Sequence, residues 1–140
     1  MECRAHTLIA AVTLLAEGRV LLVKYKNMPD QQRGWFLPDD GLLDLEHPGD
    51  AAKRILKSQL NLSVPELHLS HIESFKGMDR SWHLIFHYRV ELDKAMLLAP
   101  SENVESMEWF ALGQLPARSE IAHHGWAIDV INEIMGKRTP

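Results

Sequence analysis

The chain has 140 residues, 46% hydrophobic and 24% charged, which fits one soluble globular domain over residues 1–140 with enough length to bury a core. Its net charge of -4 carries no polyanion footprint, so no extended nucleic-acid-binding surface is expected. A lone cysteine, Cys3, excludes an internal disulfide and a cysteine metal cluster, and suits a reducing cytoplasm.

Thr7 to Leu15 and Arg19 to Tyr25 are rich in leucine and β-branched residues, with Ala16-Glu17-Gly18 between them, and predict a hairpin. Their near-continuous apolar runs predict strands covered on both faces. Leu8 to Leu15 is too short to span a bilayer, and Glu17 and Arg19 follow at once. Met1 to His6 lacks the basic start of a signal peptide, so a cytoplasmic protein without membrane attachment is expected. Lys26 to Gly34 is a polar loop, and Trp35-Phe36-Leu37 a short strand stopped by Pro38.

Pro48-Gly49-Asp50 marks a helix start, with Asp50 as the expected N-cap. Ala52, Leu56 and Leu60 form its core stripe, flanked by Ile55 and Gln59, and Asn61 suits the left-handed end. His68 to Phe75 predicts a strand and Lys76 to Asp79 a turn. Ser81 to Leu92 alternates: Trp82, Leu84, Phe86, Tyr88 and Val90 share one face, and Ser81, His83, Ile85, His87 and Arg89 the other. Another short strand lies within Asn103 to Phe110, and Leu112 to Pro116 is a turn. A final helix from about His123 to Met135 buries Ala127, Val130, Ile131, Ile134 and Met135. Strands and helices in this order predict a mixed α/β layer structure.

A helix face with carboxylates at i, i+3 and i+4 can hold a hard divalent ion. Positions 55, 58 and 59 have that spacing, but they are Ile55, Ser58 and Gln59. Ile55 cannot ligate, and the other two offer neutral oxygens only. The acidic loop residues Asp39, Asp40 and Asp44 are ordinary for a solvated loop; Asp39, Asp40 and Gln59 are the remaining candidates for a relocated metal site. Aspartate tolerates left-handed backbone, which would let Asp39 and Asp40 occupy glycine-like positions. His83 and His87 can both face a ligand or a metal, though two ligands do not complete a zinc site. Arg33 and Arg89 are candidates for phosphate, and Trp35 and Phe36 for a base, although core packing explains these aromatics equally well. His123 and His124 precede the last helix at what would be a turn.

The stretch from Asp40 to Leu62 resembles the Nudix box, Gly-x5-Glu-x7-Arg-Glu-U-x-Glu-Glu-x-Gly-U with U apolar. Glu46, Arg54, Leu56 and Leu62 match; Asp40, Ile55, Ser58, Gln59 and Asn61 depart from it. Trp35-Phe36-Leu37-Pro38 is similar to the family's usual entry, with Asp39 and Asp40 where two glycines are expected. The N-terminal hairpin, Glu108-Trp109-Phe110 with Leu115-Pro116, and the final helix fit as well.

The resemblance implies an α/β/α sandwich with a mixed, curved sheet. It implies hydrolysis of nucleoside diphosphates linked to another group, with Mg2+ or Mn2+ held by the helix glutamates. Glu46 and Arg54 would support the loop and helix. Glu102, Glu105 and Glu108 fall where the family often places a further catalytic or metal-binding glutamate, and a homodimer would fit the family. Three readings stay open. The chain binds a phosphorylated ligand with hydrolysis weak or lost, or it is a divergent hydrolase using relocated carboxylates, or it is a regulatory or protein-interaction domain.

Overall fold

The structure is a computed structural model that describes residues 6–29, 32–77 and 80–136. Cys3 and the turn residues Met78 and Asp79 lie outside the described residues. The strands are β1 (His6–Ala16), β2 (Arg19–Tyr25), β3 (Asp39–Gly41), β4 (His68–Lys76), β5 (Trp82–Leu92) and β6 (Val104–Ala111); the α-helices are α1 (Pro48–Leu60) and α2 (Ala122–Gly136). The sheet runs β4-β5-β1-β2-β6, and β3 pairs with β1. β1 runs parallel to β5 along its whole length, and the other pairs are antiparallel, so the sheet is mixed.

Alternation sends the two faces of the sheet into different cores. Val12, Leu14, Leu21, Val23, Tyr88 and Val90 pack with Ala52, Leu56 and Leu60 of α1. Leu15, Val20 and Leu22 pack with Ala127, Val130, Ile131 and Ile134 of α2. Leu56 and Leu60 are fully buried, each worth about 2 kcal/mol of transfer free energy. The expected both-sides coverage holds for the stretch from Ala10 to Ala16, all of it buried.

The hairpin is shorter than the sequence implies. Glu17 and Gly18 take positive φ in the turn, and β1 pairs with β2 only at Leu15–Val20 and Ala16–Arg19. Beyond that the two strands part, and the segment after Gly34 fills the gap. Phe36 exchanges backbone hydrogen bonds with Val23 at 2.7 and 2.9 Å, Val12 N–H donates to the Pro38 carbonyl at 2.9 Å, and β3 pairs with β1 at Ile9, Ala10 and Ala11. Trp35 and Phe36 therefore make isolated bridges, and Leu37 none, in place of the expected strand 35–37, and the ladder begins after Pro38. Gly34, at φ +137, makes the entry possible: a Cβ there would sit 2.8 Å from both Ala122 N and the Glu120 carbonyl oxygen.

Helix α1 starts one turn earlier than Asp50. His47 is the N-cap, its Nδ1 accepting from Gly49 N–H at 2.9 Å, and Pro48 occupies the first turn where its missing N–H is harmless. Asp50 lies in the first turn, favourable to the helix dipole. Asn61 ends the helix in the left-handed conformation, φ 54, as expected, and its Nδ2 donates to the Ala99 carbonyl at 2.7 Å. Helix α2 begins at Ala122, one residue before the expected start, but His123, His124 and Gly125 are all left-handed. Arg118 braces this turn, donating to the His124 carbonyl at 3.0 Å and pairing with Asp129 through both terminal nitrogens.

Asn61 combines a left-handed backbone with a side-chain bond. Asn61→Gly keeps the first and loses the second, whereas Asn61→Ala loses both. Urea unfolding is expected to rank wild type above Asn61→Gly above Asn61→Ala, with the alanine variant about 1–2 kcal/mol below wild type.

Candidate functional site

The loop before α1 is held by one arginine. Arg54, on the second turn of the helix, donates from Nε and Nη2 to the two carboxylate oxygens of Glu46, both at 3.0 Å. Its Nη2 also reaches the Gly41 carbonyl at 2.9 Å, and Nη1 reaches Asp40 Oδ2 at 3.2 Å. Glu46 Oε1 accepts from Leu43 N–H at 3.0 Å in addition. The hydrogen bonds from Arg54 hold the Glu46 carboxyl below its ordinary range. One guanidinium thus ties β3, the loop and the helix together.

On the other side of the loop lies a closed ring of hydrogen bonds. Tyr25 O–H donates to Gln59 Oε1 at 2.8 Å, Gln59 Nε2 donates to the Asp39 carbonyl at 2.9 Å, and Asp39 N–H donates to Tyr25 Oη at 2.9 Å. This assignment of the Gln59 amide satisfies all three residues, and the opposite one would set two acceptors face to face. Burial, with the nearby Asp39 charge, pushes the Tyr25 phenol well up. Asp39 is itself partly buried. Burial first, and the neighbouring Asp40 second, push its carboxyl up to about 7.

Next to the ring, Ile55 is fully buried against Ala10, Ala51 and Leu42. Ser58, one turn on, is exposed. The NUDIX domain family model matches residues 5–130. The chain belongs to the Nudix family. Among solved structures it is similar to a MutT Nudix hydrolase from Burkholderia pseudomallei, at 21% identity and TM-score 0.76, covering 93% of this chain and 98% of that one. It is also similar to the Nudix domain of Shewanella oneidensis NrtR complexed with ADP ribose, at 19% identity and TM-score 0.76, covering 98% and 91%. A third is a C. elegans Ap4A hydrolase, at 14% identity and TM-score 0.73, covering 94% and 97%. No curated protein matches the chain.

Nudix enzymes typically use a divalent metal, and the residues here do not fit one. Ile55 fills the first glutamate position with an apolar side chain in an apolar pocket. Gln59, in the last, has both ends of its amide committed to Tyr25 and Asp39. Among the described residues no group of three or more His, Cys, Asp or Glu is placed to hold an ion. Asp39 and Asp40 follow one another in an extended strand, so their side chains point to opposite faces. Neither has the left-handed backbone expected of a glycine substitute. In this loop Leu45 takes that conformation instead, at φ 61.

The other candidate residues are dispersed. Arg33 is exposed in the loop, its Nε donating to the Met28 carbonyl at 3.4 Å. Trp35 is buried edge-on to Phe110, with Lys24 Nζ 4.7 Å from its ring centre. Phe36 packs between Tyr25 and His123, at centroid distances of 5.3 and 5.6 Å. His83 stacks on Phe75 and meets Ser81 Oγ at 3.0 Å. His87 is fully buried, its Nε2 2.9 Å from Glu73 Oε1, which also accepts from Trp126 Nε1 at 3.1 Å. The two histidines thus share a face and a strand but have separate partners. Arg89 pairs with Glu91. Glu105 and Glu108 are exposed along β6. Glu102 is exposed beside the end of α1, where Ser101 N–H donates to the Gln59 carbonyl at 2.8 Å.

Tyr25 is the residue that sequence reasoning missed. It reads as the end of an apolar strand, and only the wedge of residues 36–41 brings the Asp39 backbone to its hydroxyl.

Asp39 makes stability fall with rising pH. Its folded-state pKa of about 7 lies above its ordinary 3.8, so the folded state keeps a proton that the unfolded state has released. The penalty is absent below about pH 4, grows between pH 4 and 7, and is complete above 7. Asp39→Asn is therefore expected to raise the melting temperature by a few degrees at pH 8 and by progressively less towards pH 4, measured by thermal unfolding across that range.

Proposed function

We propose that this Nudix-fold protein binds a nucleoside diphosphate derivative or a similar phosphorylated ligand, with metal-dependent hydrolysis weak or lost. The ring of Tyr25, Gln59 and Asp39 carries this reading. A glutamate at position 59 would set a carboxylate oxygen against the Asp39 carbonyl. Two acceptors at that distance need a cation or a proton between them. The Gln59 amide brings its own proton, so the helix and loop hold together without a metal. Arg33, bonded to the Met28 carbonyl, and Lys24, over the Trp35 ring, are cations of a kind suited to phosphate. That the Nudix domain of NrtR takes ADP ribose supports the ligand class.

A second reading, a divergent hydrolase, has one observation in its favour. Burial first, and the charge of Asp40 second, push the Asp39 carboxyl up to about 7, the range suited to a general base.

Calorimetric titration with Mg2+ and Mn2+ is expected to give no binding heat at millimolar metal. Phosphate release from a panel of nucleoside diphosphate derivatives should stay at background, while ADP-ribose or a nucleotide raises the melting temperature. Turnover with metal binding would establish the second reading, and no response to any small molecule would leave an interaction domain. Gln59→Glu tests the ring itself: it is expected to lose about 1–3 kcal/mol and to regain part of this in Mn2+, where the wild type gains nothing. Equal stability of Gln59→Glu and wild type in metal-free buffer would sink the ring's role.

A further inference from the structure

Two buried side-chain atoms have no protein hydrogen-bond partner among the described residues: Thr13 Oγ1 on β1 and His87 Nδ1 on β5. Both side chains are closed off from solvent. A buried hydroxyl or ring nitrogen left unpaired is costly, and most such groups find a partner in the protein or in ordered water.

Register brings the two atoms to one spot. β1 and β5 run parallel, with Ala11 opposite His87 and Thr13 opposite Arg89. Alternation puts all four side chains on the α2 face of the sheet, as a square with Thr13 and His87 on its diagonal. Arg89 turns to Glu91. Ala11 is buried and carries only a methyl group, so the square has room over that corner, between the two unpaired atoms. His71 stacks on His87 at 4.5 Å from the β4 side, and Trp126 of α2 packs on it at 5.6 Å from above.

The second nitrogen of His87 settles what the first can do. Nε2 lies 2.9 Å from Glu73 Oε1, which also accepts from Trp126 Nε1 at 3.1 Å. The bond from His87, more than any other influence, holds the Glu73 carboxyl below its ordinary range. A carboxylate only accepts, so Nε2 carries a proton, and in the neutral ring Nδ1 is left as an acceptor. A threonine hydroxyl donates or accepts. A single molecule that both donates and accepts satisfies the pair.

We propose that one internal water molecule sits over Ala11, accepting from the Thr13 hydroxyl and donating to His87 Nδ1. It completes a relay of Thr13, water, His87, Glu73 and Trp126. The relay starts on the central strand β1, crosses β5 to the edge strand β4, and rises to α2. Its work is positional. The water holds the His87 ring in the plane that aims Nε2 at Glu73, and Glu73 in turn anchors Trp126, in the first turns of α2, over the sheet. Thr13 and Trp126 are therefore coupled through shared partners along the relay.

Thr13→Val replaces the hydroxyl with a methyl of the same shape, and the sign of its effect is decisive. Losing an unpaired hydroxyl would stabilise the full chain, whereas losing one bonded to a water is expected to lower its melting temperature by a few degrees. In a double-mutant cycle with Trp126→Phe, which keeps a ring and drops the indole N–H, the two effects on the unfolding equilibrium constant should depart from independence about threefold or more. Nuclear magnetic resonance at pH 8 supplies a readout that packing alone would not move. The His87 ring should carry its proton on Nε2, the bare Nδ1 should shift downfield in Thr13→Val, and the wild-type Thr13 methyl should show magnetisation transfer from a long-lived water. A Thr13→Val chain more stable than wild type, independent effects of the two substitutions, an unmoved Nδ1 or no water at the Thr13 methyl would each overturn the proposal.

Discussion

The structure depends on a gap between two strands. β1 and β2 are neighbours in sequence and join by a tight turn, yet they stay paired for only two residues on each side. The backbone from Phe36 to Gly41 occupies the space between them, bonded to Val23 on one flank and to Val12 and Ala11 on the other. This satisfies the backbone groups that the splayed strands would otherwise leave bare in a buried place. It also fixes where the loop before α1 must start. Everything chemically interesting in the molecule hangs from that starting point: Arg54 clamps the loop from the helix side, and Tyr25 and Gln59 clamp it from the sheet side.

Seen this way, the altered box is coherent and not merely eroded. The family's glutamates are gone from positions 55, 58 and 59, and the two buried replacements, Ile55 and Gln59, are packed and hydrogen-bonded within the protein, while Ser58 is exposed. Ile55 completes an apolar contact with Ala10, Ala51 and Leu42. Gln59 supplies both a donor and an acceptor to a ring that leaves none of its groups unpaired. Asn61 takes over the left-handed role of the box's closing glycine and adds a bond to Ala99. Glu46 and Arg54 stay as they are, because the clamp they form is a matter of loop geometry and needs no ion.

Much of this was legible in the chain. The core stripe of α1, the alternation of β5 and the left-handed Asn61 all follow from local pattern, and the structure bears them out. Other readings missed for identifiable reasons. Asp50 looks like a cap, but His47 reaches Gly49 first. Residues 35–37 look like a strand, but their pairing is split between Val23 and Ile121. The turn expected at His123 and His124 is there, but it runs left-handed on through Gly125, where Arg118 holds the His124 carbonyl and packs where a Cβ on Gly125 would lie.

By itself the sequence determined the family, the mixed α/β class, the position of the altered helix face and the absence of carboxylates from it. The class and the helix face are properties of periodicity and spacing along one chain, and the family is what the resemblance of the stretch from Asp40 to Leu62 to a known motif implies. Only the tertiary structure decided that Asp39 and Asp40 are extended, that His83 and His87 have separate partners, and that Tyr25 closes a ring around Gln59. The reason is distance along the chain. Asp39 and Gln59 lie 14 and 34 residues along the chain from Tyr25, and nothing local tells a strand-end tyrosine which backbone will be wedged against it.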